Sequence, residues 1–192
     1  MSMNMISKGI LILAVIATLM TPSFDTEAKT VTRYATKTVS LKEQPKKKSA
    51  TIEKLRQNNK VILLKKGKRW SKVIHAERVG YVKTSALHAK KPVNKYKGRS
   101  FKRVGHGRYN GCSWTWYTTR QYPDRKNALG IKGKHKDKRG FICDKDGYIC
   151  LASGRGNKKK HAIVPTPFGK YGKVYDTNGG YNNRWFDVWV SW

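Results

Sequence analysis

After Lys29 the chain has no stretch in which apolar residues recur at the three-and-four spacing of an amphipathic helix. It offers instead short β-branched or aromatic runs cut off by Gly, Asn, Asp or Pro. "VTRYATKTVSLKEQP", "IEKLRQNNKVILLKKGKRWSKVIH" and "RVGYVKTSAL" make up the first group, with Asn58-Asn59, Gly67 and Gly80 as turn signals. "CSWTWYTT", "GFICD", "YICLAS", "HAIVPTPFG", "GKVYD" and "WFDVWVSW" make up the second. Between them "AKKPVNKYK" is basic, centred on Pro92 and aperiodic, as linkers are. The pattern predicts an all-β protein with a small β domain over 29–88, a basic linker over 89–97 and a second β domain over 98–192. In the second domain so many short strands in so few residues need closure to protect their edges, which points to a compact closed or nearly closed barrel.

Residues 1–28 read as an export signal. Lys8 precedes an apolar run from Gly9 to Met20, and Thr26 to Ala28 offers a small-x-Ala cleavage site. The apolar core falls short of the ~20 residues that cross a bilayer, although an uncleaved anchor is the alternative. With no Cys near the cleavage point, a lipoprotein is not expected.

Charge decides the expected partner. The 192 residues hold 42 Lys or Arg against 11 Asp or Glu, a formal net charge of +31. Such an excess repels itself in any compact state and calls for a polyanion. Nucleic acid is the usual candidate, but an export signal moves the expectation to anionic cell-wall polymers or acidic lipid surfaces outside the cell. Three cysteines, Cys112, Cys143 and Cys150, are too few for a disulfide framework. A two-residue Asp146-Gly147 turn would set Cys143 opposite Cys150 at a hydrogen-bonded position, so pairing there or through Cys112 stays open. No Cys/His spacing resembles a metal site, and neither a metal, a cofactor nor a stable protein partner is expected.

The first domain resembles a bacterial SH3-like domain through "VSLKEQP" at Val39 to Pro45, "KGKRWSKVIH" at Lys66 to His75 and "VGYVKTSAL" at Val79 to Leu87. The resemblance implies a small barrel that targets the cell wall, with Trp70 and Tyr81 as candidate surface aromatics. Trp70 could equally be core.

Acids are so scarce that each one counts. "KVYDTNGGYNNRWFDVWVSW" places Asp176 at a strand end and Asp187 inside the last strand, on either side of a Gly/Asn-rich turn. Alternation there puts Phe186, Val188, Val190 and Trp192 on one face and Trp185, Asp187, Trp189 and Ser191 on the other. Flanking indoles would desolvate Asp187 and push its carboxyl toward the protonated form that a general acid needs. Simple pairing with a Lys or Arg is the competing reading.

"YDTNGGYNNRWFDVWV" resembles the end of the three-aspartate (3D) domain, a double-psi β-barrel found in stationary-phase muralytic factors and in membrane-bound lytic transglycosylase A. Asp176, Gly179, Gly180 and the "FDVWV" strand meet its pattern. "SWTWYTT" from Ser113, with Thr115 and Tyr117, resembles its opening strand, and "TPFGKYGKVYD" from Thr166 the approach to the Asp pair. The family's first aspartate has no counterpart: Ser153 stands near that place. The resemblance implies that the protein binds peptidoglycan and cleaves its glycan strands as a lytic transglycosylase. Asp187 would be general acid and base, Asp176 its helper, and Trp185, Trp189, Thr115, Tyr117, Gly179 and Gly180 would bind substrate. The competing expectation is a non-catalytic basic cell-wall binding protein, and a secreted nucleic-acid binder is a third.

Overall fold

The computed structural model describes residues 30–118, 129–177 and 183–192, and over these the protein is all-β, built as two sheets with separate cores. The first sheet contains β1 (Val31–Ala35), β2 (Val39–Lys42), β3 (Thr51–Leu55), β4 (Lys60–Lys65), β5 (Trp70–His75), β6 (Arg78–Lys83) and β7 (Leu87–His88), in the order β3-β2-β6-β5-β4-β1-β7. Every pairing in it is antiparallel. Its core consists of Ala35, Leu41, Leu55, Val61, Val73, Val82 and Ala86, all aliphatic. Burying a Val or Leu is worth roughly 1.5–3 kcal/mol, so a core this thin leaves little to spare.

One turn expectation for this unit is corrected. Gly80 is not a turn residue; it lies inside β6, where a Cβ would meet Leu41 Cγ and the Lys42 carbonyl oxygen, each at 2.8 Å. The glycine is there because β6 crosses β2 too closely for a side chain. The actual β5–β6 turn is Ala76-Glu77, both at positive φ. Neither residue type signals such a turn, so the sequence hides it.

The second unit opens with α1 (Gly98–Val104), a helix that the sequence reading did not expect. One apolar anchor accounts for it: Phe101 is buried against Phe168 with ring centroids 4.8 Å apart. Seven residues, about two turns, show no periodicity. The strands that follow are β8 (Gly107–Tyr109), β9 (Cys112–Thr118), β10 (His135–Lys136), β11 (Ile142–Cys143), β12 (Ile149–Ser153), β13 (Ile163–Pro165), β14 (Tyr171–Asp176) and β15 (Trp185–Val190). β12 is the hub. It pairs in parallel with β14 on one edge and antiparallel with β11 and β15 on the other, and β15 pairs in parallel with β9. The main core is rich in large rings, with Phe101, Trp114, Phe141, Phe168 and Phe186 around Ile149, Leu151 and Val188.

The β11–β12 hairpin differs from the expected two-residue turn. Asp144 N–H donates to the Tyr148 carbonyl, Gly147 takes φ +80°, and Cys143 stands opposite Ile149. A three-residue loop ending in a left-handed glycine shifts the register by one, so Cys143 and Cys150 enter different clusters. All three cysteines are free thiols.

The segment read as a linker is stitched to the second unit. Lys95 and Tyr96 N–H groups both donate to the Pro167 carbonyl, and Asn94 bridges to Phe168. The units also touch directly, through a buried 2.7 Å hydrogen bond between the Thr36 hydroxyl and the Tyr148 phenol and the pairing of Lys37 with Asp146 at 2.9 Å; the Tyr171 hydroxyl donates to the carbonyl of Lys90 in the connecting segment at 2.9 Å.

Candidate functional site

One lateral row crosses four neighbouring strands of the second sheet. Thr115 on β9 stands opposite Asp187 on β15, Asp187 opposite Ala152 on β12, and Ala152 opposite Asp176 on β14. Residues in register share a face, so both carboxyl groups and the Thr115 hydroxyl project to one side. At ~4.8 Å per strand step the two aspartate backbones lie about 10 Å apart, with the Ala152 methyl between them.

Asp176 reaches the row through an irregularity. Leu151 pairs with Val174 but Ala152 pairs with Asp176, leaving Tyr175 as an extra residue. Unbroken alternation would turn Asp176 toward the same side as Val174, which belongs to the main core. The bulge reverses that and places Asp176, 7% exposed, with Asp187. The sequence gives no sign of this, because a bulge depends on the partner strand.

Asp187 is half-buried and accepts a 2.9 Å hydrogen bond from the Thr115 hydroxyl on Oδ1. Burial pushes its carboxyl up to about 6, against opposing hydrogen bonds from Thr115 and the Val188 backbone. A carboxyl poised there exchanges a proton near neutral pH, which is the property of a general acid and base. Its strand alternates as expected: Phe186, Val188 and Val190 enter the main core, and Trp189 enters a second cluster with Tyr117, Cys150, Ala152 and Tyr175.

The expected substrate-binding residues fall into distinct places. Trp185 is half-buried and stands one alternation from Asp187, opposite Ser113. Trp189 and Tyr117 lie opposite one another and stack, with centroids 5.9 Å apart and 11° between planes. Lys134 Nζ sits 4.7 Å from the Trp189 ring centroid, and Trp189 is 1% exposed. Both rings are buried with Ala152 on the side of the sheet that carries the row, and the Trp189 ring is covered by Tyr117 and Lys134. Gly179 and Gly180 lie outside the described residues. Trp70 and Tyr81 belong to the first sheet, where both are half-buried on its outer side.

Ser153, which stands near the place of the missing first aspartate, pairs with Phe186 and is fully buried. It points to the face opposite the row. Among the described residues the other acids of this unit are engaged in structure. Asp144, unremarked in the sequence, accepts from the Asp146 and Tyr148 N–H groups and, at 2.8 Å, from the Tyr175 phenol, tying the β11–β12 loop to β14. At Asp137 burial raises the pKa, but Lys170 and the Arg139 and Phe141 N–H groups outweigh it and hold the carboxyl below its usual range. Burial also pushes the Cys143 thiol up to about 11, and raises Cys150 and Cys112, so none has the thiolate character of a nucleophile. Among the described residues no three metal-ligating side chains gather.

No family model matches the sequence, and no curated protein matches it. Among solved structures, NlpC2 from Trichomonas vaginalis aligns at 16% identity over 45% of this chain and 34% of its own, with a TM-score of 0.30. NlpC1 from the same organism aligns at 14% identity over 44% of this chain and 31% of its own, again with a TM-score of 0.30. The chain thus spans about a third of the length of these structures, and a TM-score of that size assigns neither fold nor activity.

Proposed function

We infer that this is an exported cell-wall protein in which an SH3-like unit binds the wall and a 3D-type double-psi barrel cleaves peptidoglycan glycan strands as a lytic transglycosylase. The observation that carries the reading is the row of Thr115, Asp187, Ala152 and Asp176, in which burial brings one carboxyl to about 6. Two parallel pairings within a mostly antiparallel sheet suit the proposed barrel.

Protonated Asp187 donates to the glycosidic oxygen between N-acetylmuramic acid and N-acetylglucosamine, and the bond to the muramyl anomeric carbon breaks. The resulting carboxylate takes the proton of the muramyl 6-hydroxyl as that oxygen closes on the anomeric carbon. Asp187 ends as it began, and no water is consumed. Thr115 fixes one carboxyl oxygen and leaves the other for the sugar. Asp176, across Ala152, stabilises the positive charge that builds on the ring. One acid serves both proton transfers, where a hydrolase uses two flanking carboxylates.

Incubation of the mature protein with purified sacculi should release 1,6-anhydromuramyl fragments detectable by mass spectrometry. Intact sacculi, or equal release by Asp187→Asn, would sink the catalytic assignment. The second reading, a non-catalytic basic wall binder, draws on Ser153 standing near the first aspartate's place and facing away from the row. It expects salt-sensitive wall binding that survives Asp176→Ala combined with Asp187→Ala.

A further inference from the structure

The outer side of the first sheet carries charge in an arrangement that costs the fold. Ser71, Val73, Gly80 and Val82 point inward, so Trp70, Lys72, Tyr81 and Lys83 point outward. Trp70 stands opposite Lys83, and the next row runs Lys65, Lys72, Tyr81, Lys42 across four strands. Lys65 and Lys72 are direct cross-strand partners, a like-charge pairing that destabilises a sheet. Beside Trp70 the β2–β3 and β4–β5 loops close an open cleft of about 610 Å³ lined by Lys46, Lys47, Lys68, Arg69 and Lys83. Among the described residues none of these five cations, nor Lys65 or Lys72, has a carboxylate partner.

Cations converging on one cleft without counter-charge, with a half-buried indole at its side, form an anion site rather than a generally solvated surface. The aliphatic core already explains how the unit folds, so neither Trp70 nor the lysines are needed for packing. We propose that this cleft and the adjoining Lys/Tyr row bind a linear phosphodiester polymer with sugar or polyol repeats, phosphates on the cations and a repeat unit against Trp70. Arg69 offers a fork for two phosphate oxygens, and the lysines act as point charges. The choice of a wall polymer over a nucleic acid rests on the exported reading above; the cleft itself is independent of glycan cleavage.

The test uses the full chain with three probes of equal charge number, poly(glycerol phosphate), single-stranded oligoribonucleotide and polyglutamate, and uncharged dextran as blank. Poly(glycerol phosphate) should bind most tightly, with an affinity that falls as salt rises, and should raise the melting temperature by relieving the Lys65–Lys72 repulsion. Lys46→Gln/Lys47→Gln/Lys68→Gln should weaken it roughly tenfold or more, while Arg99→Gln/Lys102→Gln/Arg103→Gln on α1, an equal loss of charge, should change it less than about twofold. Equal losses from the two triple variants would mean diffuse charge attraction and overturn the site. Tighter binding of the oligoribonucleotide, equal binding of polyglutamate, or no polyanion binding at all would each overturn it too. All six substituted side chains are exposed, so folding is retained. Asp187 is untouched, so sacculus cleavage by the same variant distinguishes failure of this site from failure of the catalytic reading.

Discussion

The two units use aromatic residues in opposite ways. The first folds around seven aliphatic side chains and keeps Trp70 and Tyr81 on its outer side among lysines. The second buries Trp114, Phe101, Phe141, Phe168 and Phe186 in its centre and covers Trp189 with Tyr117 and Lys134. Charge follows the same division. In the first unit the cations of the cleft stand in water without a carboxylate partner; in the second Asp187 is desolvated, and Asp176 and Asp144 are buried. An outward ring in the thin-cored unit is free for a ligand, whereas an inward ring in the second unit serves stability and sets the polarity of the row.

That contrast can be broken by measurement. The largest stability effect should come from Trp114→Ala, which removes a ring 1% exposed and stacked on Phe186, and should cost about 3–5 kcal/mol in urea unfolding. A loss below about 1 kcal/mol would show that the aromatic core is not what holds the second unit together.

The next effect concerns Asp187 and pH. Its folded-state pKa is raised to about 6 from the ordinary 3.8, so between those values the native state keeps a proton that the unfolded state has released. Stability must therefore fall as pH rises through that window, the reverse of a salt-bridged aspartate. Asp187→Asn should leave stability unchanged near pH 3 and raise it at pH 8. A variant no more stable than the parent at pH 8 would mean that the carboxyl is not desolvated. Thr115→Val removes a hydrogen bond that favours the carboxylate, so the alkaline limb of any cleavage activity should move to higher pH. The smallest effect should be Trp70→Ala, within roughly 0.5 kcal/mol of the parent in stability. A large loss there would turn Trp70 into a core residue and erase the difference between the units.

What the sequence revealed follows from how local each feature is. Strand content, the two groups of strands and the alternation of β15 depend on residues a few positions apart, and these could be read directly. So could the desolvation of Asp187, since the indoles of Trp185 and Trp189 stand two positions away on its own face of the strand. The row itself could not be read. It needs Ala152 between two aspartates on different strands and a bulge at Tyr175, and both are properties of pairing. The Lys65–Lys72 pair was hidden for the same reason. Gly80 misled because a glycine required by a strand crossing looks like one required by a turn. α1 escaped because seven residues with one buried ring carry no period.

The β11–β12 hairpin has a consequence for scale. Its loop reaches the first unit through Tyr148 and Asp146, and its second strand carries Ala152 between the two aspartates. One short element is thus both bracket and floor. A protein held to a polymer by its first unit would meet glycan at a distance fixed by this hairpin, working as a gauge whose span is written in sheet register rather than in the length of a flexible tether.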